Sequence, residues 1–187
     1  MALPDYAGFV AGTKIVWGEA GASGVTHTLS LNNLASTAAR QGASADLGLS
    51  LLGGTLLLLP EFVVVEFGIE TGTAPTAGNT CAAWLIASTD NTWWPAKVTG
   101  SDAAYTRGTS DANLRQAGTP VITLVATNDA NTTLRQANVR FSPNGRYLAP
   151  IVANDLGQAT RNETTATDND SRLKVTPYYP AIVDALS

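Results

Sequence analysis

Residues able to do acid–base, nucleophilic or metal chemistry are scarce in this chain: one histidine (His27), one cysteine (Cys81) and 15 carboxylates among 187 residues. A hydrolytic triad needs a base beside its nucleophile. Only His27 is on offer, and no G-x-S-x-G turn appears. A typical zinc site draws on several His and Cys ligands, which one of each cannot supply. Glycoside hydrolysis needs only two carboxylates, about 5–5.5 Å apart in retaining enzymes and roughly 6.5–9.5 Å apart in inverting ones. Glu66 and Glu70 share one face of a strand predicted over residues 61–70. At ~3.3 Å per residue they stand about 13 Å apart, and Glu61 falls on the opposite face. Hard-oxygen ligands for calcium occur at Asn128-Asp129 and at Asp168-Asn169-Asp170, neither with EF-hand spacing. Turns rich in Asn and Asp are ordinary in loops. The expectation is a protein that is not an enzyme and uses no metal or cofactor.

The aromatic residues offer a different chemistry. Residues 89–116 form a long connection with few strand signals, and it carries Trp93-Trp94-Pro95 and Tyr105. Loops of this length in compact domains tend to be functional or mobile. Trp93, Trp94 and Tyr105 suit stacking on sugar rings or anchoring a partner, since aromatic anchors dominate interface hot spots. The plainer alternative is that one tryptophan plugs the end of the fold while the other packs beneath the loop. The sequons at Asn131 and Asn162 bear on surface glycosylation only in a secreted eukaryotic setting.

The elements that must position these residues are short β segments. VTHTLSL (residues 25–31) alternates, with Val25, His27, Leu29 and Leu31 on one face, so His27 sits in an apolar register. Residues 61–70 place Val63, Val65, Phe67 and Ile69 on one face. Residues 79–88 are nearly all apolar, as a central strand would be, and Cys81 falls there as a small core residue. Further strands are predicted over 121–127, 133–141, 146–153 and 173–183, with a Pro143-Asn144-Gly145 turn between two of them. Residues 32–42 are the only segment that reads as helix, one or two turns between an Asn cap and Gly42. DANLRQA at residues 111–117 is echoed by DANTTLRQA at 129–137, and two copies are too few for a solenoid. Some eight strands with almost no helix predict an all-β fold, an antiparallel β-sandwich with jelly-roll-like character.

Residues 1–24 are rich in Gly, Ala and Pro with isolated hydrophobes, and two domains follow from this: an extended N-terminal arm (1–24) and a β-sandwich (25–187). The arm is either a tail or a segment whose Tyr6, Phe9, Ile15 and Trp17 dock on a neighbouring subunit. Each such side chain contributes roughly 1.5–3 kcal/mol when buried, before ordering costs. The N-terminal residues lack the pattern of a signal peptide. Residues 49–69 are interrupted by Gly53, Gly54, Pro60, Glu61 and Glu66, too often for a membrane helix, and read as a turn followed by a buried strand.

Composition narrows the partners. Charged residues make up 14% of the chain, well below the roughly 25% usual in soluble domains. Such a surface suits packing against neighbours. The net charge is −4 and the 11 Lys and Arg are scattered, which gives no footprint for nucleic acid.

Three stretches together resemble a family: THTLSLNNLASTAARQGASADLG, EFGIETGTAPTAGNTCAAWLIASTD and GSDAAYTRGTSDANLRQAG, within roughly residues 25–155. They are similar to small structural proteins encoded among the virion genes of tailed bacteriophages. The motifs are turn and strand signatures without chemistry. The resemblance implies a jelly-roll-like capsid decoration (cement) protein, located on the capsid surface. Its partners would be the major capsid protein and its own copies, in a homotrimer. A tail-associated, glycan-binding module is the alternative.

Overall fold

Runs of Val, Ile, Leu and aromatic residues, cut by Gly, Pro, Asn and Asp, build an all-β molecule. The computed structural model describes residues 6–52, 56–127, 132–162 and 171–183. Its strands are β1 (Tyr6–Ala11), β2 (Ile15–Gly18), β3 (His27–Thr28), β4 (Ala39–Gln41), β5 (Ala45–Asp46), β6 (Ser50–Leu52) and β7 (Leu56–Leu58). There follow β8 (Phe62–Glu70), β9 (Thr80–Ser88), β10 (Ala103–Ala104), β11 (Ile122–Val125), β12 (Thr133–Phe141), β13 (Tyr147–Asp155) and β14 (Arg172–Val183).

Two six-stranded sheets face one another. The first, sheet A, runs β12-β8-β14-β2-β3, with β1 also on β14. The second, sheet B, runs β10-β4-β13-β9-β11, with β5 also on β13. Pairing is antiparallel except where β3 lies parallel to β2. The strands β6 and β7 pair as a separate antiparallel hairpin. The predicted antiparallel β-sandwich is the observed fold.

Period-two alternation decides which side chains fill the space between the sheets. From sheet A come Ile15, Trp17, Val63, Val65, Phe67, Ile69, Leu173 and Val175; from sheet B come Cys81, Ala83, Leu85, Leu148 and Val152. Trp17 is fully buried, and its indole N–H donates to the Ala43 carbonyl at 2.7 Å. Strands β9 and β13 are apolar on both faces because a second cluster covers the outer side of sheet B. There Trp84, Ile86, Ala149, Ile151 and Ala153 meet Trp94, Val98, Tyr105 and Leu114 of the long connection.

The structure corrects several expectations. Residues 32–42 are not helical: Asn33 (φ 54°) and Thr37 (φ 70°) turn the chain the wrong way for a helix. Their backbone groups are satisfied by sheet B instead. Asn154 donates its side-chain amide to the Leu34 carbonyl, Thr37 donates its N–H to the Asn154 carbonyl, and β4 pairs with β13. Helix occurs in the long connection, as α1 (Ala112–Gln116) preceded by a 3₁₀ turn at Thr109–Asp111. The two echoed motifs therefore differ in structure: LRQA is helical near residue 115 and extended in β12. The 25–31 segment contributes only β3 to a sheet, although Leu29 and Leu31 are buried as its alternation predicts. Nor do residues 6–18 form an arm separate from the sandwich. β1 and β2 run in succession along one side of β14, with a one-residue shift of register around residues 12–14.

Candidate functional site

Several of the chemistry-bearing side chains are occupied in holding the fold. Glu70 is buried, ion-paired to Arg161, and its backbone N–H donates to Ser171 Oγ at 3.0 Å. Glu66 lies 3.7 Å from the Lys174 ammonium. Asp102 accepts from Arg40 Nε at 2.8 Å, from the Ser30 hydroxyl at 2.6 Å and from the Ser30 N–H at 3.1 Å. Burial alone would raise its pKa, but these hydrogen bonds and the Arg40 charge outweigh burial and hold it below the ordinary carboxylate value. Cys81 is buried, and desolvation pushes its thiol far above the usual range. The calcium candidates Asp129 and Asp168-Asn169-Asp170 lie outside the described residues. Among the described residues, no three His, Cys, Asp or Glu side chains are grouped as a metal site would require.

His27 lines an open groove of about 540 Å³ beside the register shift between β1 and β2, together with Val10, Lys14, Asp46, Leu49 and Tyr179. Its ring lies 5.8 Å from that of Trp17, and its Nδ1 is 3.0 Å from the Thr26 hydroxyl. Burial lowers its pKa. Two of the neighbouring polar groups are tied elsewhere. Asp46 is paired with Arg146 at 2.6 Å, which lowers its pKa, and the Tyr179 hydroxyl donates to the Leu47 carbonyl.

The residues proposed for partner contact divide sharply. Ile15 and Trp17, expected on a docking arm, are core residues of this same chain; their β-branched and aromatic bulk fills the space between the sheets. Phe9 is 55% exposed, and its ring meets Phe62 edge-on at 5.1 Å. Tyr6 sits in β1 across from Val183. In the loop, Tyr105 and Trp94 are buried, and the Tyr105 hydroxyl donates to the Ala96 carbonyl at 2.6 Å. Trp93 is 73% exposed.

One end of the molecule was not apparent in the residue pattern. β8 follows β14 only as far as Tyr178, whereas β1 continues alongside it to Val183. The β1–β14 ribbon therefore runs past the body of sheet A. Phe9 and Val10 are exposed on it, and Leu49 and Leu59, also exposed, flank the β6–β7 hairpin, whose first strand packs against β14. On the outer face, Phe9, Phe62 and Tyr178 make an aromatic row, with Phe62 and Tyr178 stacked at 5.0 Å and the Arg140 guanidinium 4.3 Å above Phe62. The signal available in sequence was the uncharged YAGFVA run and the leucine-rich stretch after residue 48.

In comparisons with known proteins, no family model, no curated protein and no solved structure matches this chain.

Proposed function

We propose that this chain is a structural assembly protein, a bacteriophage capsid decoration protein that binds and stabilises the coat-protein shell. The observation that carries the reading is the exposure of apolar side chains on the β1–β14 ribbon and on either side of the β6–β7 hairpin. Phe9 is exposed on the outer face of the ribbon, Val10 and Leu49 are exposed at the groove and Leu59 beside the hairpin; exposed apolar side chains of this kind suit an element that is covered in the assembled state. The low charge content agrees, as does the use of the carboxylates for internal ion pairs. Strand order also supports the jelly-roll-like reading. Ranking β2, β4, β8, β9, β11, β12, β13 and β14 as one to eight gives sheet orders 1-8-3-6 and 2-7-4-5, the nested arrangement of a jelly roll. Many copies on a symmetric shell turn a modest contact into strong attachment.

The test is the copy number of this chain in purified virions, by gel densitometry against the major coat protein. A number comparable with the coat lattice is expected. Absence from the particle overturns the reading, and a handful of copies moves the protein to the tail. Trp93 favours the second reading, a tail-associated glycan-binding module, because a rigidly held, exposed tryptophan can stack on a sugar ring. That reading requires glycans to quench the tryptophan fluorescence and Trp93→Ala to abolish the response; silence across a broad glycan panel removes it.

A further inference from the structure

Unpaired strand edges present rows of N–H and C=O groups that recruit another chain, so proteins blunt them with charge, proline, bulges or brevity. Most edges here are blunted. β12 carries Arg135 and Arg140 and is bulged between Gln136 and Val139, with Asn138 at φ 62°. β3, β5 and β10 are two residues long, β6 and β7 three, and β11 four. β1 is the exception. Its six residues, YAGFVA, include no charge and no proline, and its register on β14 is regular. Among the described residues, no strand pairs with its other side.

The hydrogen-bond parity of that edge is fixed. Gly12 donates its N–H to the Pro177 carbonyl at 2.8 Å. In an antiparallel ladder the even-numbered residues of β1 then turn their backbone groups toward β14, and Ala7, Phe9 and Ala11 turn theirs outward.

We propose that β1 pairs antiparallel with β1 of a second copy across a two-fold axis at Phe9, joining two A sheets into one continuous sheet. Antiparallel pairing needs outward-turned residues opposite one another. Setting Phe9 against Phe9 and Ala7 against Ala11 satisfies all three in both copies. The nearest described charge to the uncharged stretch is Lys14. Antiparallel order about Phe9 sets the two Lys14 side chains at opposite ends of the paired strands, whereas parallel order aligns these like charges. The exposed Phe9 is then covered by its counterpart, and the Phe62–Phe9 contact of each copy becomes one aromatic row. The inference deepens the assembly reading above and rests on it for why an unguarded edge is retained.

Sedimentation equilibrium of the full chain at micromolar concentration tests it. A dimer is expected; a monomer or a trimer overturns the proposal. Phe9→Lys and Phe9→Glu, each checked by far-UV circular dichroism for an intact β fold, are expected to be monomeric alone. Mixed in equal amounts they re-form a dimer, because residue 9 faces itself across the axis. A dimer that survives either substitution, or a mixture that stays monomeric, overturns it. Particle copy number is read separately. A monomer abundant in virions removes the edge pairing and leaves the shell reading, and a dimer absent from virions does the reverse.

Discussion

Trp93 and Trp94 are consecutive in the chain yet lie on opposite sides of the surface, Trp93 73% exposed and Trp94 8%. The turn before them is held by Asp90, whose carboxylate accepts the N–H groups of Thr92 at 2.9 Å and Trp93 at 3.0 Å. The Ser88 hydroxyl donates to the Trp93 carbonyl at 2.8 Å. With the backbone pinned there, Trp94 drops into the cluster on the outer face of sheet B, against the Gly100 backbone, and Trp93 is left outside.

A fluorescence prediction follows from that division. Trp17, Trp84 and Trp94 are buried, so acrylamide reaches mainly Trp93. Trp93→Phe should remove most of the quenchable emission while changing stability by no more than about 0.5 kcal/mol, as is usual for an exposed site. An unchanged quenchable fraction would show that another tryptophan is open to solvent.

Arg107 fastens the long connection to the sandwich. Its guanidinium donates to Asp111 at 2.7 Å, to Asp155 of β13 at 2.6 Å and to the Thr37 carbonyl at 3.1 Å. Charge-assisted, two-pronged contacts of this kind outweigh ordinary surface pairs, although both carboxylates keep contact with solvent and are partly screened. Arg107→Met should cost about 1–2 kcal/mol in urea unfolding. It should also speed proteolysis within residues 89–121 ahead of the sandwich itself. Equal cleavage in variant and parent would mean the connection is held by its apolar cluster alone.

Gly145 tests the hairpin between β12 and β13. A Cβ there would stand 2.5 Å from the Ser88 carbonyl oxygen and 2.8 Å from its carbon, both backbone atoms of β9 that cannot swing aside. Gly145→Ala should therefore lose about 1–3 kcal/mol, the range for overpacking a closed site. Retained stability in urea unfolding would show that the β13 hairpin shifts without strain.

The long strands were legible because their patterns are strong. Residues 62–70 alternate and 81–87 are apolar throughout, and both segments form the strands these patterns imply. β1 and β2 were legible as hydrophobes but not as sheet members, since their partner β14 lies more than 150 residues further on. Nothing local in residues 6–18 announces that pairing. Residues 32–42 show the opposite failure: a local helical propensity gives way to hydrogen bonds with β13. In the candidate site, Phe9 and Trp93 are exposed, while Ile15, Trp17, Trp94 and Tyr105 are drawn into cores. Side-chain type marks both kinds alike; only the sheets decide which face is covered.

The pH dependence of stability should fall in two steps, and the sign of each can be worked out. Burial lowers the His27 pKa below its unfolded value of about 6.5, so the unfolded chain takes up the proton first. Stability is therefore full above that value and declines as pH falls through it toward the folded pKa. Asp46, Asp102 and Asp111 are held below their unfolded value of about 3.9, with arginine hydrogen bonds overcoming the cost of burial. Their contribution is present above that pH and is lost as pH falls toward their folded pKa values. Because His27 is the single histidine, the upper step belongs to one side chain. Urea midpoints measured from about pH 8 to about pH 3 should decline gently near the histidine value and steeply below the carboxylate value. His27→Gln should flatten the first decline and leave the second, and Asp102→Asn should shrink the second and leave the first. A neutral-range slope that persists in His27→Gln would place the proton on another group and remove burial of His27 as its cause.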